Sequence, residues 1–177
     1  MVDVSLSLLL LFAPESTAES TLREELRPLQ FLVGSCWTAT FPDGKQIDTH
    51  CFESVYRGHF LRDRHVVRGA KSPYEGETLY AWDPKQKKVV YTYWASDGGI
   101  STGFVVPAPG EIRFQESYAG AGGGLELETV WKRQGENGYQ ARVRQRKDGE
   151  WREMWTMEFS RDGRRDLPAA QEPPSKP

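Results

Sequence analysis

Between Gly34 and Ser160, apolar and polar residues alternate in short runs separated by glycine-bearing turns, and no sustained helical period interrupts them. The turns fall at Pro42-Asp43-Gly44, Asp83-Pro84-Lys85, Asp97-Gly98-Gly99, Pro107–Gly110, Gly120–Gly124, Gly135–Gly138 and Lys147-Asp148-Gly149. Hairpin spacing of this kind predicts an all-β protein, a single antiparallel up-and-down barrel of about nine to ten strands. Ahead of it, Thr21–Val33 reads as a short helix: Leu22, Leu26, Leu29 and Phe31 or Leu32 make an apolar stripe, Glu24 and Glu25 lie in the first turn, and Pro28 is expected to break it.

Strand faces follow from the period of two. In the second half the inward sets are Ile112, Phe114, Glu116 and Tyr118; Leu125, Leu127, Thr129 and Trp131; Tyr139, Ala141, Val143 and Gln145; and Trp151, Glu153, Trp155, Met157 and Phe159. A turn centred on Gly135 would pair Trp131 with Tyr139. A three-residue loop of Lys147, Asp148 and Gly149 would pair Gln145 with Trp151. The first half is less regular. Trp37, Ala39 and Phe41, then Tyr80 and Trp82, then Val89, Tyr91 and Tyr93, then Ile100, Thr102, Phe104 and Val106 are assigned inward. The consecutive charges Arg62, Asp63, Arg64 and His65 leave the third strand open between two faces.

Two cysteines flank the first hairpin. A turn centred between Asp43 and Gly44 sets Cys36 directly opposite Cys51, Trp37 opposite His50 and Ala39 opposite Asp48, and opposed strand positions lie within disulfide reach. A Cys36–Cys51 bridge implies an oxidising compartment. The run VSLSLLLLF, Val4–Phe12, is too short to span a bilayer but suits the apolar core of a secretory signal, and Ser16-Thr17-Ala18 supplies small residues for cleavage. Residues 1–18 are therefore read as a signal peptide, 19–161 as the barrel and 162–177, rich in Pro, Ala and charge, as a disordered tail. The expected location is periplasmic or secreted, with no stable membrane insertion once the signal is removed.

At 177 residues and a net charge of −2, the chain suits one domain with a substantial core, and its balanced charge carries no footprint for nucleic acid. Chemistry is then sought in polar residues on otherwise apolar inward faces, where a buried charge needs a partner or a purpose. The expected ligand-binding set is Trp37, His50, Arg62, Arg64, His65, Tyr80, Tyr91, Tyr93, Glu116, Glu153 and Trp155, with Asp48, Asp63, Thr129 and Gln145 as further candidates. If the arginines point inward, the anchor suits an anion. An internal salt-bridge network that merely stitches the barrel uses the same residues. His50, His59 and His65 lack the spacing of a compact metal site, so neither metal nor cofactor is expected. A Gly-x-Ser-x-Gly elbow is absent, and the GAGGG run at Gly120–Gly124 is not followed by a helix, which leaves it a hairpin rather than a nucleotide loop.

The stretch LRPLQFLVGSCWTATFPDG, followed by DTHCF, RDRHVV, YEGETLYAWD and YTYWASDGGISTG, resembles an uncharacterised exported bacterial family with a lipocalin-like or calycin-like barrel. The resemblance spans about Leu22 to Arg161 and implies an internal pocket without an established activity. Lipocalins separate glycine and tryptophan by one residue, whereas Ser35 and Cys36 lie between Gly34 and Trp37 here. Nitrobindin-like haem barrels use a late histidine, and none follows His65, so their haem role does not carry over. The expected function is binding of a small, largely hydrophobic ligand, anionic if the arginines point inward. The alternatives are a small isomerase or hydratase with His50 or Glu116 as general base, or a barrel packed by its own aromatics.

Overall fold

The computed structural model describes residues 21–69, 74–120 and 123–168; the signal-peptide reading at 1–18 lies outside them. Ten strands, β1 (Ser35–Thr40), β2 (Ile47–Val55), β3 (Phe60–Arg68), β4 (Tyr74–Asp83), β5 (Lys88–Ala95), β6 (Ile100–Ala108), β7 (Glu111–Gly120), β8 (Gly123–Gln134), β9 (Gly138–Lys147) and β10 (Glu150–Arg161), pair in sequence order. The last closes on the first, making an antiparallel barrel. Closure satisfies the backbone groups that an open sheet would leave on its edges.

A 3-10 helix, Glu24–Leu32, stops one end. Its buried leucines, Leu26, Leu29 and Leu32, recur every third residue, which places them on one face of a helix with three residues per turn. Pro28 lies within this helix and does not end it. The leucines enter the same core as Trp37, Phe52, Leu61, Tyr139 and Phe159. Trp37 Nε1 donates to the Leu32 carbonyl at 3.2 Å, and Arg161 Nη2 donates to the Phe31 carbonyl at 2.8 Å, so both β1 and β10 hold the plug. The apolar floor of the barrel therefore lies at the helix end, and any opening must lie at the other.

The first hairpin has the expected register, with Cys36 opposite Cys51, Trp37 opposite His50 and Ala39 opposite Asp48. The two cysteines form a disulfide. They lie on the outer side of the sheet yet are buried. Part of the cover on that side is the chain after β10: the Cys36 N–H donates to the Arg164 carbonyl at 2.8 Å, and the Asp162 N–H donates back to the Cys36 carbonyl at 3.1 Å. The segment expected as a tail thus begins along β1, and residues 169–177 lie outside the described residues.

Three expectations about register and face are corrected. Trp131 pairs with Ala141, not Tyr139, because the β8–β9 connection occupies 135–137; the shift is by two positions, so the inward sets survive. Between β9 and β10 the connection is the two-residue turn Asp148-Gly149, with both residues at positive φ (55° and 84°), which matches strand twist better than the three-residue loop. Trp151 consequently pairs with Arg146, on the outer face. A bulge between Glu153 and Trp155 then restores the inward set for Trp155, Met157 and Phe159. In β6 the inner residues are Ser101, Gly103 and Val105, while Ile100 and Val106 are exposed. Tyr93 pairs with Ser101 and Tyr91 with Gly103, and the small inner residues make room for these rings.

Candidate functional site

A cavity of about 510 Å³ occupies the barrel away from the helix. Tyr80, Tyr91, Phe114, Trp131, Tyr139 and Phe159 line its deep part. Phe41, Gln46, Tyr74, Tyr118, Leu125, Met154 and Trp155 line the part nearer the β1–β2, β5–β6 and β7–β8 connections. Among the described residues that line it, none is Lys or Arg.

Of the residues expected at the site, His50, His65, Tyr80, Tyr91, Tyr93, Glu116 and Trp155 come together on this lining. Trp37 does not: it is buried under the helix. Glu153 is exposed at the bulge and accepts from Thr156 Oγ1 at 3.1 Å. Arg62 and Arg64 point away from the interior, because β3 directs Leu61, Asp63 and His65 inward and two charged positions must then face out. Outside, Arg62 pairs with Glu53, as does Arg64 at 3.6 Å, which also reaches Asp166 at 3.6 Å. The arginine anchor is therefore absent from the cavity.

Two polar stations stand on different walls, one on β2 and β3 and one on β7. On β2 and β3, Asp63, His50, Asp48 and His65 form a continuous chain. His50 Nδ1 lies 2.9 Å from Asp63 Oδ2, His50 Nε2 3.1 Å from Asp48 Oδ2, and His65 Nδ1 3.1 Å from Asp48 Oδ1. The alternation of β2 places Asp48 and His50 on one face, and pairing of His50 with His65 stacks the two rings at 4.6 Å and 25°. Beyond His65, Nε2 lies 2.9 Å from Tyr93 Oη, which lies 2.8 Å from Tyr74 Oη nearer the mouth.

With a carboxylate on each nitrogen, His50 is bonded as an imidazolium, donating both ways. Burial opposes that charge, but Asp48 and Asp63 outweigh it and hold the His50 pKa well above its ordinary value. For Asp48, burial would raise the pKa, and His50 and His65 instead pull it well below the carboxylate range. Burial pushes the Tyr93 phenol up, reinforced by Tyr74. The outer part of the chain has two complementary proton arrangements. Either His65 donates to Tyr93 and Tyr93 to Tyr74, or Tyr74 donates to Tyr93 and Tyr93 to His65 Nε2.

The Asp48, His50 and His65 ligand atoms lie within 4.8 Å of one another, close enough to share an ion. The two rings lie in near-parallel, stacked planes, which disfavours convergence of their in-plane lone pairs on one point, and each ring nitrogen already has a hydrogen-bond partner. Both features suit a proton chain better than an ion.

Across the cavity, on β7, Glu116 accepts three hydroxyl hydrogen bonds: from Tyr91 at 3.0 Å, Ser101 at 2.9 Å and Thr129 at 3.1 Å. Burial pushes the Tyr91 phenol up, and the neighbouring Glu116 adds to it, so Tyr91 stays a donor. Both stations depend on a glycine. Tyr93 reaches His65 across β4 at Gly76, where a Cβ would lie 2.3 Å from the Tyr93 ring and 2.7 Å from His65 Nε2. Tyr91 reaches Glu116 across β6 at Gly103, where a Cβ would lie 2.9 Å from its hydroxyl. Strand β5 thus sends one tyrosine each way, through a gap in the neighbouring strand.

No protein-family model matches the chain, and no curated protein matches it. The crystal structure of Rv2717c from M. tuberculosis is similar, with a TM-score of 0.54 and 15% sequence identity over 80% of this chain and 99% of that one. That likeness is one of fold. It establishes the barrel on a second ground and says nothing of the cavity chemistry.

Asp48 and Asp63 were visible in the sequence as candidates by alternation with the histidines. Tyr74, Ser101 and the two glycines carry no such signal: Tyr74 and Ser101 act on residues of the adjacent strand that share no pattern with them, and the glycines act by leaving room for a contact that crosses their own strand. Gly76→Ala is expected to dislodge Tyr93 from His65 and cost about 1–3 kcal/mol. Gly124→Ala, whose Cβ would meet nothing closer than 3.7 Å, should stay within about 0.5 kcal/mol. Urea titration of both variants compares them, and equal midpoints would overturn the role given to Gly76.

Proposed function

We propose that this protein binds a small, largely hydrophobic molecule inside the barrel. The observation that carries the reading is the cavity of about 510 Å³, with mostly apolar and aromatic walls and two separate polar stations. Its size and composition fall within the usual range for small-molecule sites and argue against a barrel filled by its own side chains. The absence of Lys and Arg among the described lining residues removes the support for an anionic ligand. A native disulfide favours an oxidising compartment. No helix among the described residues is long and apolar enough to cross a membrane. Together with the resemblance to exported lipocalin-like proteins, the disulfide supports a periplasmic or secreted binder.

Native mass spectrometry of the purified protein should find a copurified small molecule, and a panel of lipids, aromatic compounds and haem should include members that raise the melting temperature. Ala141, buried on the cavity wall opposite Trp131, gives a blocking variant. Ala141→Phe should abolish these shifts, and Val143→Phe provides a second block should the first fail to fold. An empty protein without a melting shift across the panel would sink the reading.

The proton chain favours a second reading, an acid–base enzyme acting on the molecule held in the cavity. Tyr74 and Tyr93 would relay a proton to or from His65. Turnover of the bound compound that falls in Tyr93→Phe, while binding persists, supports this reading over simple binding.

A further inference from the structure

We infer that the molecule held in the cavity is an organic cation, an amine or quaternary ammonium on an apolar body, with its charge beside Glu116. This rests on the binding reading above and sharpens it. Among the described residues, three carboxylates, Asp48, Asp63 and Glu116, line the cavity against two histidines and no Lys or Arg. On the β2–β3 wall, both His50 nitrogens are taken by carboxylates, and His65 is shared between Asp48 and Tyr93. The histidine nitrogens of that station are all taken within it, so it offers no free cation to an anionic ligand.

Glu116 is different. Its partners are three neutral hydroxyls, which orient the carboxylate and stabilise it as an acceptor without supplying an opposite charge. The carboxylate has about four acceptor sites, two of them on Oε2 taken by Tyr91 and Ser101 and one on Oε1 by Thr129, so Oε1 has room for a further donor. A partly buried carboxylate without a counter-cation gains most from a cation brought in by a ligand. The surrounding walls suit the same chemistry. Tyr91 and Phe114 lie with ring centroids 5.9 Å apart, and Phe114 and Trp131 4.5 Å apart, beside the residues that hold Glu116. Aromatic rings attract cations through their quadrupoles, and they bury the apolar remainder of the molecule. Leu127 on β8 and Ala141 and Val143 on β9 add apolar wall for the body of the molecule.

Three probes of nearly equal shape separate charge from hydrophobicity: phenethylamine, phenethyl alcohol and hydrocinnamate, titrated into the full-length protein by calorimetry at neutral pH. The amine is expected to bind at least about tenfold more tightly than the alcohol, and the carboxylate more weakly than both. Glu116→Gln keeps the size of the side chain and removes its charge. It should lower amine affinity about tenfold while leaving the alcohol unchanged. Equal binding of amine and alcohol, or preference for hydrocinnamate, overturns the inference and leaves the binding reading standing. Failure of all three, together with no shift on the wider panel, removes both. The ranking in the unmodified protein decides the matter even if the Glu116 variant does not fold.

Discussion

Asp48→Ala should lower the folding free energy by about 3–5 kcal/mol, the range expected when one partner of a buried ionic pair is removed. Asp48 is only 5% exposed and accepts from both histidines through its two oxygens. Its loss leaves donors on His50 and His65 without an acceptor. It also leaves the His50 imidazolium in a dry environment with Asp63 alone to balance it. Asp48→Asn, which keeps the volume, is expected to lose a smaller but still large amount, because an amide oxygen can accept one bond but brings no charge. The appropriate contrast is Glu126→Ala at the exposed pair with Arg146, where the effect should be below about 1 kcal/mol. Chemical denaturation of the three variants measures this. A loss in Asp48→Ala no greater than in Glu126→Ala would mean that the cluster is not a paired ionic unit.

The second large effect is on the pH profile. His50 has its folded pKa raised from an ordinary 6.5, so the folded protein retains a proton that the unfolded chain releases. The stability this confers is fully present below about pH 6.5 and is lost as pH rises through the folded pKa, at about 1.4 kcal/mol per pH unit. Asp48 acts in the opposite direction. Its folded pKa is lowered from 3.8, so its contribution is present above that value and disappears as the pH falls towards the folded one. Above pH 10 the buried phenols of Tyr80, Tyr91, Tyr93 and Tyr139, all raised by burial, add a further alkaline loss of the same sign. The expected curve is therefore a plateau between about pH 4 and 6.5 with a decline on each side. Replacing His50 by Gln should flatten the arm between pH 6.5 and 9 without altering the tyrosine loss above it. A wild-type curve that is level from pH 6.5 to 9 would refute the imidazolium at His50.

These two results bear on function as well as stability. A fixed imidazolium between two carboxylates acts as a rigid electrostatic unit, so on the acid–base reading a proton exchanged with a ligand would pass through Tyr93 and Tyr74. On the binding reading, Glu116 would select ligand charge from its own wall. Separating the two tasks would allow a cation to occupy one wall without breaking the hydrogen-bond chain on the other.

The alternation of residues and the placement of turns were enough to determine an all-β meander, a closed barrel, the Cys36–Cys51 register and most inward faces from Ile112 to Gln145. Those features are local: a hairpin with a short turn has few possible registers, and a clean polar/apolar alternation selects one face. The N-terminal leucines likewise announced a helix. Where both faces carried similar residues, the period of two had no preferred phase. Thus Arg62 and Arg64 could not be separated from Asp63 and His65, and the bulky apolar residues of β6 suggested the wrong side. The bulge at Glu153–Trp155 changed phase within one strand. Only the tertiary structure decided which residues meet across the barrel, because Tyr93 with His65 and Tyr91 with Glu116 each pass over a third strand at a glycine. That contact needs an empty position on an element remote in sequence, and the pattern of any single strand carries no information about it.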